Sequence, residues 1–142
     1  MHKVRTPIKV RYQETDQMGV VYHANYLIWF EIGRTAFVES LGFQYHEMEA
    51  EGVVSPVVNA NIQFKHPIRY GEDAFVETWV DSYNGIRTTY GYQVIDQAGE
   101  IAVTGTTQHV IVRKDNFRPL SLKKHFPEWD QAYKQALEGQ EQ

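Results

Sequence analysis

Residues 25–41 read NYLIWFEIGRTAFVESL, and this stretch decides the fold of the chain. Its apolar side chains recur at helical spacing and leave the polar ones only a narrow arc. A helix that is apolar over most of its circumference must be covered on most sides, so we expect it to be central. Gly33 costs about 1 kcal/mol relative to alanine, which is tolerable if a strand backbone approaches closely there. Gly42 is expected to end the helix.

Strand patterns flank this helix on both sides. Residues 8–12 alternate between apolar and polar side chains, as residues 58–64 do, which is the period of a half-buried strand. Later strands are predicted at residues 74–83, 87–96 and 101–112. Within these, Asn84-Gly85 predicts a tight type I′ hairpin and residues 96–99 predict a second turn.

Two shorter helices complete the prediction. A helical turn is expected at about residues 45–50, and an amphipathic helix at about 127–138 is expected on the surface of the sheet. The order is therefore a strand, a helix and four strands joined by hairpins. We predict the α+β class, with an antiparallel sheet wrapped around one long central helix.

Composition narrows the class of protein. The 142 residues are 42% hydrophobic and 13% aromatic with no Pro, Gly or Ser-rich division, which predicts one globular domain over residues 1–142. The absence of cysteine removes disulfides and a cysteine nucleophile, and with no apolar leader it favours a cytoplasmic protein. No stretch is apolar enough for a membrane span. The net charge of −4 and the scattered basic residues argue against nucleic acid as a partner.

Several chemistries lack the residues that they require. There is no Gly-x-Ser-x-Gly elbow, no Walker loop and no Gly-x-Gly-x-x-Gly turn, so a serine triad, nucleotide hydrolysis and dinucleotide redox chemistry have no support. The histidines do not fall at metal-ligand spacing, so we expect no protein-held metal and no cofactor.

The segment just ahead of the long helix does offer chemistry. The chain leaves a strand, passes the carboxylate of Asp16, turns at Gly19 and enters the helix. Unpaired amides at a helix start polarise a carbonyl and stabilise its oxyanion. A carboxylate a few residues earlier can act there as general base or nucleophile. The alternative is that Asp16 only forms an Asx-turn, which is common for aspartate before a turn.

A longer string makes the catalytic interpretation specific. It consists of Asp16-x-x-Gly19-x-Val21-Tyr22-His23-x-Asn25-Tyr26, with Glu31 and Arg34 on the helix, Leu41-Gly42-Phe43 after it, and Pro67-Ile68-Arg69-Tyr70-Gly71-Glu72 between strands. This string resembles the signature of the 4-hydroxybenzoyl-CoA thioesterase family, a branch of the hotdog-fold acyl-CoA thioesterases. It looks most similar to the small bacterial acyl-CoA thioesterases, and the resemblance spans about residues 5–120.

The resemblance implies the hotdog fold, hydrolysis of acyl-CoA to a free acid and CoA, and an active site at the interface of a homodimer or homotetramer. It implies that Asp16 is the catalytic carboxylate and that the backbone amide of His23 receives the thioester carbonyl. We predict Asp16 and His23 as catalytic residues. The predicted substrate-binding residues are Gly19, Val21, Tyr22, Asn25 and Tyr26.

Some of these residues also have an ordinary structural interpretation. His23 either orients water or substrate or is a satisfied structural side chain. Asn25 is favoured as the helix N-cap, and the two tyrosines as pocket wall or core. Glu31 and Arg34, three residues apart on the helix, are predicted to form an ion pair.

Two other functions stay open. A hotdog dehydratase acting on hydroxyacyl thioesters would pair His23 with Glu31, although its usual histidine loop is absent. A noncatalytic acyl-ligand binding module would use Asp16 only to form the turn.

Overall fold

The computed structural model describes residues 2–138. A five-stranded antiparallel sheet has the order β1-β4-β5-β6-β3, and a two-stranded sheet pairs β2 with β7. The strands are β1 (Val4–Lys9), β2 (Val53–Val54), β3 (Val57–Phe64), β4 (Asp73–Tyr83), β5 (Arg87–Asp96), β6 (Ile101–Val110) and β7 (Val112–Arg113). The helices are α1 (Asn25–Ser40), α2 (Tyr45–Ala50), α3 (Leu122–His125) and α4 (Pro127–Glu138).

Helix α1 lies across one face of the sheet and packs on β1, β4 and β5. Its buried residues recur at helical spacing and are Tyr26, Trp29, Phe30, Gly33, Phe37 and Val38. This arrangement confirms the predicted antiparallel sheet around one long helix. The predicted close approach at Gly33 is also present, but side chains of β4 make it. A Cβ on Gly33 would lie 2.5 Å from Thr78 Oγ1 and 2.8 Å from Val76 Cγ1.

The prediction that α1 is covered on most sides is wrong for the single chain. The sheet covers one face of the helix only. On the other face Leu27 and Ile32 are each 42% exposed and Ile28 is 45% exposed. Apolar periodicity shows which side chains favour burial, and it does not show whether any part of the chain covers them.

Gly42 ends α1 as predicted. With φ at 94°, it takes the left-handed conformation that glycine adopts without a Cβ clash. Its amide donates to Glu39 O at 3.0 Å and the next amide, of Phe43, donates to Val38 O at 3.3 Å. These two bonds are the Schellman motif, which satisfies carbonyls at the end of a helix.

Three local predictions need correction. The first strand spans Val4–Lys9 instead of residues 8–12, because residues 12–14 turn into a 3-10 helix. The hairpin at Asn84-Gly85 is present, but Asn84 lacks the positive φ of a type I′ turn. Its side-chain oxygen accepts the amides of Ile86 and Arg87 at 3.0 and 2.7 Å, which builds a wider loop. Strand β6 ends at Val110, and its continuation pairs with β2.

The order of the strands also differs from the prediction. Strand β3 pairs with β6 and not with β4, so the four later strands are not all joined by hairpins. This places β3 at an edge of the sheet, where Val57, Val58 and Phe64 are 48%, 52% and 55% exposed. The alternation of its residues predicts a strand but contains no information about its neighbour.

The terminal helix α4 has the predicted bounds and packs on β4 and α3. Its buried side includes Trp129, Tyr133 and Ala136, as the pattern predicts, together with the carboxylate of Asp130. That carboxylate accepts the Tyr83 hydroxyl and lies 3.2 Å from Lys134 Nζ. Among residues 2–138 no helix is long and apolar enough to cross a membrane.

Candidate active site

The segment that we call the Asp16 loop, residues 15–21, is a short turn between the 3-10 helix and α1. A bridge between Thr15 and Val21 closes it. Inside it, Asp16 N donates to Val20 O at 2.9 Å and Gly19 N donates to Asp16 O at 2.9 Å. Gly19 has a φ of 82°, which a side chain would strain. The loop therefore holds Asp16 in a defined backbone conformation.

One carboxylate oxygen of Asp16 forms hydrogen bonds within this turn. Oδ1 accepts the amides of Met18 at 2.9 Å and Val20 at 3.5 Å, which is the Asx-turn considered above as the structural alternative. Oδ2 makes no hydrogen bond to any residue that the structure describes. One carboxylate oxygen therefore fixes the turn, and the other remains available to a ligand or water.

Asp16 lies on the wall of an open cavity of about 570 Å³. Gly19 also contributes to this wall, and so do Tyr12 and Tyr70, whose rings meet edge to face at 5.6 Å. Tyr12 is 76% exposed and Tyr70 is 60% exposed. The cavity is thus large enough for a substantial ligand, but the single chain does not enclose it.

A second carboxylate, which sequence reasoning missed, positions this loop. Glu14 is buried, with 4% of its surface exposed. Its Oε1 accepts Arg11 N at 2.8 Å, and its Oε2 accepts Trp29 Nε1 at 2.9 Å and Arg11 Nη2 at 3.3 Å. No periodicity or motif pairs residue 14 with residue 29. A glutamate ahead of a helix that contains a tryptophan is too weak a signal to predict this contact from the sequence.

The backbone of Glu14 completes the connection to α1. Glu14 O accepts both Tyr22 N and Asn25 Nδ2 at 2.8 Å. Burial raises the pKa of Glu14, but the hydrogen bonds from Arg11 and Trp29 more than offset it, so the net pKa lies below its ordinary value. Glu14 is therefore ionised at neutral pH, and it ties the Asp16 loop to the first turns of the helix.

The start of α1 differs from the prediction. The N-cap is Ala24, not Asn25, and the side chain of Asn25 binds Glu14 O instead of a helix amide. A turn that begins at Tyr22 already brings the backbone of Ala24 into helical geometry, since Asn25 N donates to Tyr22 O at 2.9 Å. The next two amides donate to His23 O and Ala24 O, each at 3.3 Å. Within residues 2–138, the amides of His23 and Ala24 have no hydrogen-bond acceptor.

The remaining predicted site residues fall into two groups. Val21 and Tyr26 are buried at 5% and 3% exposure, and burial raises the pKa of Tyr26 to about 12. They support the loop from the core. Tyr22 and His23 are exposed, with ring centroids 4.4 Å apart, and His23 lies 6.2 Å from the ring of Phe64 on the β3 edge. In the single chain these four residues do not line the cavity beside Asp16.

The predicted ion pair between Glu31 and Arg34 is wrong. Arg34 Nη1 donates to the hydroxyl of Tyr92 at 3.0 Å, and among the described residues no carboxylate lies within ion-pair distance of it. Helical spacing allows the pair, but Arg34 turns toward the sheet, where a distant part of the chain supplies the acceptor. His23 and Glu31 are likewise not joined by a hydrogen bond in the described part of the chain.

Comparisons with known proteins find similar sequences and a similar fold. The family model of the thioesterase-like superfamily matches residues 10–136. A protein of Bacillus subtilis that carries the name "Putative acyl-CoA thioesterase YneP" is 52% identical over 136 residues, which cover 96% of this chain and 99% of that protein. The acyl-CoA thioester hydrolase YbgC of Escherichia coli is 26% identical over 84% of this chain and 90% of its own length.

A solved structure is similar along almost the whole chain. The DHNA-CoA thioesterase of Staphylococcus aureus superposes with a TM-score of 0.94 at 42% sequence identity. The match covers 99% of this chain and 95% of that one.

Proposed function

The chain belongs to the thioesterase-like superfamily, and we propose from that premise that it hydrolyses acyl-CoA thioesters with Asp16 as the catalytic carboxylate. The hotdog fold and the thioesterase class follow from the family and from relatives that are 52% and 42% identical over nearly the full chain. The role of Asp16 goes further. The observation that carries it is a carboxylate oxygen without a partner in the described chain, on the wall of a 570 Å³ cavity.

The proposed mechanism assigns the two carboxylate oxygens different tasks. Oδ1 stays in the Asx-turn and keeps the side chain in place. Oδ2 accepts a proton from water as that water attacks the thioester carbon, or it attacks the carbon itself to form an acyl anhydride. The oxygen of the tetrahedral intermediate accepts hydrogen bonds from the amides of His23 and Ala24. These amides lie at the positive end of the helix dipole, which favours an anion. Collapse breaks the carbon–sulfur bond and releases CoA thiolate.

Isotope labelling detects an anhydride that water opens at Asp16. A single turnover in oxygen-18 water, followed by mass spectrometry of the peptide that contains Asp16, reports whether this carboxylate exchanged oxygen. Label in Asp16 indicates an anhydride that water opened at the aspartyl carbon. Label found only in the released acid, with none in Asp16 over repeated turnovers, shows that water attacked the acyl carbon and excludes an anhydride that opens at the aspartyl carbon.

The substrate assay tests the function itself. Purified protein is mixed with short, branched, long and aromatic acyl-CoA esters, and the release of CoA thiol is followed with a thiol reagent. DHNA-CoA belongs in the panel because a 42% identical relative carries that substrate in its name. Carrier-protein thioesters form a second arm. We expect turnover of at least one ester, and a protein inert toward all of them would contradict the proposal and favour a noncatalytic binding module.

We further propose that the protein is a homo-oligomer built on the β3 edge. An edge strand exposes unpaired backbone groups, and natural proteins cover such edges or place charges on them. This edge instead carries exposed Val57, Val58 and Phe64, and the uncovered face of α1 exposes Leu27, Ile28 and Ile32. A second copy pairing its β3 with this one would cover the exposed edge. His23 is close to Phe64 on this edge, so the partner would also border the residues just before α1.

Analytical ultracentrifugation of wild type and Val58→Lys tests the oligomer. Val58 is 52% exposed, so the lysine is tolerated within the single chain and opposes pairing at the edge. We expect wild type to sediment as a dimer or tetramer and the variant to shift toward monomer. Lys3→Glu, on the opposite edge of the sheet, is the matched control. A monomeric wild type at micromolar concentration would contradict the proposal. The cytoplasmic location and the absence of a cofactor stay predictions.

A further inference from the structure

A second cavity lies further along α1, and its cation is not used by the proposed mechanism. It has a volume of about 280 Å³ and shares no lining residue with the cavity beside Asp16. We call it the Arg34 pocket. Its lining comes from α1, α2, β2 and the residue after β2: Glu31, Arg34, Thr35, Tyr45, Met48, Glu49, Val53, Val54 and Ser55.

Arg34 is held rigidly at this pocket by a chain of hydrogen bonds. Its Nη1 donates to the Tyr92 hydroxyl at 3.0 Å, and the Tyr92 hydroxyl lies 2.6 Å from Thr107 Oγ1. Thr107 Oγ1 lies 3.0 Å from His109 Nε2, and His109 Nδ1 lies 3.0 Å from Ser55 O. Tyr92, Thr107 and His109 are at most 2% exposed.

The direction of this chain is determined. Burial, and to a smaller extent the charge of Arg34, lowers the pKa of His109 to about 4, so the ring is neutral. Since Ser55 O can only accept, His109 donates from Nδ1 and accepts at Nε2. Thr107 must then donate to His109, and Tyr92 must donate to Thr107. The Tyr92 oxygen is left as an acceptor for Arg34, which fixes the guanidinium by one of its five N–H groups.

The charge of Arg34 persists although it is partly buried. Burial lowers the pKa of Arg34, but the phenolic oxygens of Tyr92 and Tyr45 raise it above its ordinary value. No carboxylate in the described residues neutralises it, as noted above. A guanidinium that is held in place and lacks an acid is suited to two parallel hydrogen bonds with a carboxylate.

The other walls determine what kind of carboxylate fits. Met48 and Val53 are 2% and 4% exposed and form an apolar floor, beside Val54 and the ring of Tyr45. Of the two acids at the rim, Glu49 lies 3.5 Å from Lys114 Nζ, which balances its charge. Glu31 is exposed, and among the described residues no cation forms an ion pair with it. The pocket therefore combines one hydrogen-bonded cation, an apolar floor and one acidic side chain at the rim.

We propose that the Arg34 pocket binds a small aromatic carboxylic acid, with the carboxylate on Arg34 and the ring against Met48, Val53 and Val54. Free acids of this class are the chemical type that hydrolysis of an aromatic thioester releases. The binding itself does not depend on the proposed catalytic role of Asp16, so the two can fail separately.

Isothermal titration with 2-naphthoate, and with the uncharged 2-naphthamide as matched ligand, tests this proposal on the intact protein. We expect saturable binding of the acid and at least about tenfold weaker binding of the amide, the loss typical of a charge-assisted hydrogen-bond pair. Arg34→Gln should weaken binding of the acid by at least about tenfold as well, and Arg34→Lys by less, because lysine keeps the charge without the fork.

Two further variants keep the test decisive if Arg34→Gln is unstable. Glu31→Gln changes only an exposed side chain, and removal of its charge should tighten binding of the acid by about threefold at low salt. Arg87→Gln removes an exposed cation outside the pocket and should leave the affinity unchanged. Equal binding of acid and amide, no binding of the acid, or an Arg87→Gln effect as large as that of Arg34→Gln would each overturn the proposal.

Discussion

The two ends of α1 differ in how many of their polar groups find a hydrogen-bond partner within the described chain. At its start, one oxygen of Asp16 and the amides of His23 and Ala24 have no hydrogen-bond partner among the described residues, and the rings of Tyr22 and His23 are exposed. Toward its other end, around Arg34, every member of the chain from Tyr92 to His109 has a hydrogen-bond partner and almost no exposed surface. The chain therefore completes the hydrogen bonds of its scaffold by itself but leaves polar groups at the start of α1 without partners among the described residues. Four substitutions test this contrast, and they are given in order of decreasing effect.

Asp16→Asn should have the largest effect, and only on catalysis. Asparagine keeps an oxygen for the amide of Met18, so the Asx-turn survives, but it cannot take a proton or attack a carbonyl. We expect kcat to fall by about a thousandfold, within the range of general acid–base catalysis, with little change in the free energy of unfolding. Thiol-release kinetics and thermal unfolding measure the two quantities. Asp115→Asn, at an exposed site, is the control, and an Asp16→Asn enzyme with near-normal kcat would refute the assignment.

His109 should show the opposite behaviour, an effect on stability alone. Its pKa is about 4 in the folded chain and about 6.5 when unfolded, so between these values the unfolded chain binds more protons. The free energy of unfolding should therefore fall as the pH drops below about 6.5, by about 3 kcal/mol near pH 4, and His109 contributes nothing to the slope above that range. Urea unfolding across this range measures the slope. His109→Gln should flatten it and exposed His125→Gln should not; equal slopes in both variants would contradict the prediction.

Glu14→Gln lies between the two ends and should affect both quantities. The variant loses the charge that accepts hydrogen bonds from Arg11 and Trp29, at a cost of about 2 kcal/mol in unfolding free energy. Because the Asp16 loop loses part of its attachment to α1, we expect kcat to fall severalfold while KM changes little. Trp29→Phe removes one donor and should reproduce part of both effects, whereas exposed Glu100→Gln should reproduce neither. A loss of stability with unchanged kcat would mean that Glu14 does not position the loop.

Tyr92→Phe should give the smallest effect. It removes one buried hydroxyl that joins Arg34 to Thr107, which costs about 1 kcal/mol of unfolding free energy, while hydrolysis continues because the Asp16 loop is untouched. Chemical denaturation measures the loss, with exposed Tyr70→Phe as the stability control. A variant as stable as wild type would show that the hydrogen bonds around Arg34 contribute no net stability.

The sequence predicts local features of this molecule well and long-range ones poorly. Helix α1, the stop at Gly42 and strand β5 follow from periodicity and glycine, which act within a few residues. The position of β3 at the edge does not, because alternation marks a face and not a neighbour. Arg34 illustrates the same limit: helical spacing offers Glu31 as its partner, whereas the structure provides Tyr92, a contact across 58 residues.

At the candidate site the sequence identifies Asp16 and Gly19 through a motif, and both do line one cavity. It misses Glu14, because a contact across 15 residues between a carboxylate and an indole follows no spacing rule. It also assigns Asn25 to the wrong task, since an asparagine at a helix start is favoured as a cap, while here the preceding turn already has helical geometry.

The one-way chain of hydrogen bonds from Arg34 to Ser55 has a spectroscopic consequence. Because each member has one direction in which to donate, the imidazole of His109 is a single tautomer, and its two ring nitrogens should give well-separated nitrogen-15 resonances. A ligand that binds the guanidinium should change the resonance of Nε2 through the two hydroxyls that lie between them. The nitrogen-15 resonances of His109 should thus report ligand binding at Arg34, the other end of this series of hydrogen bonds.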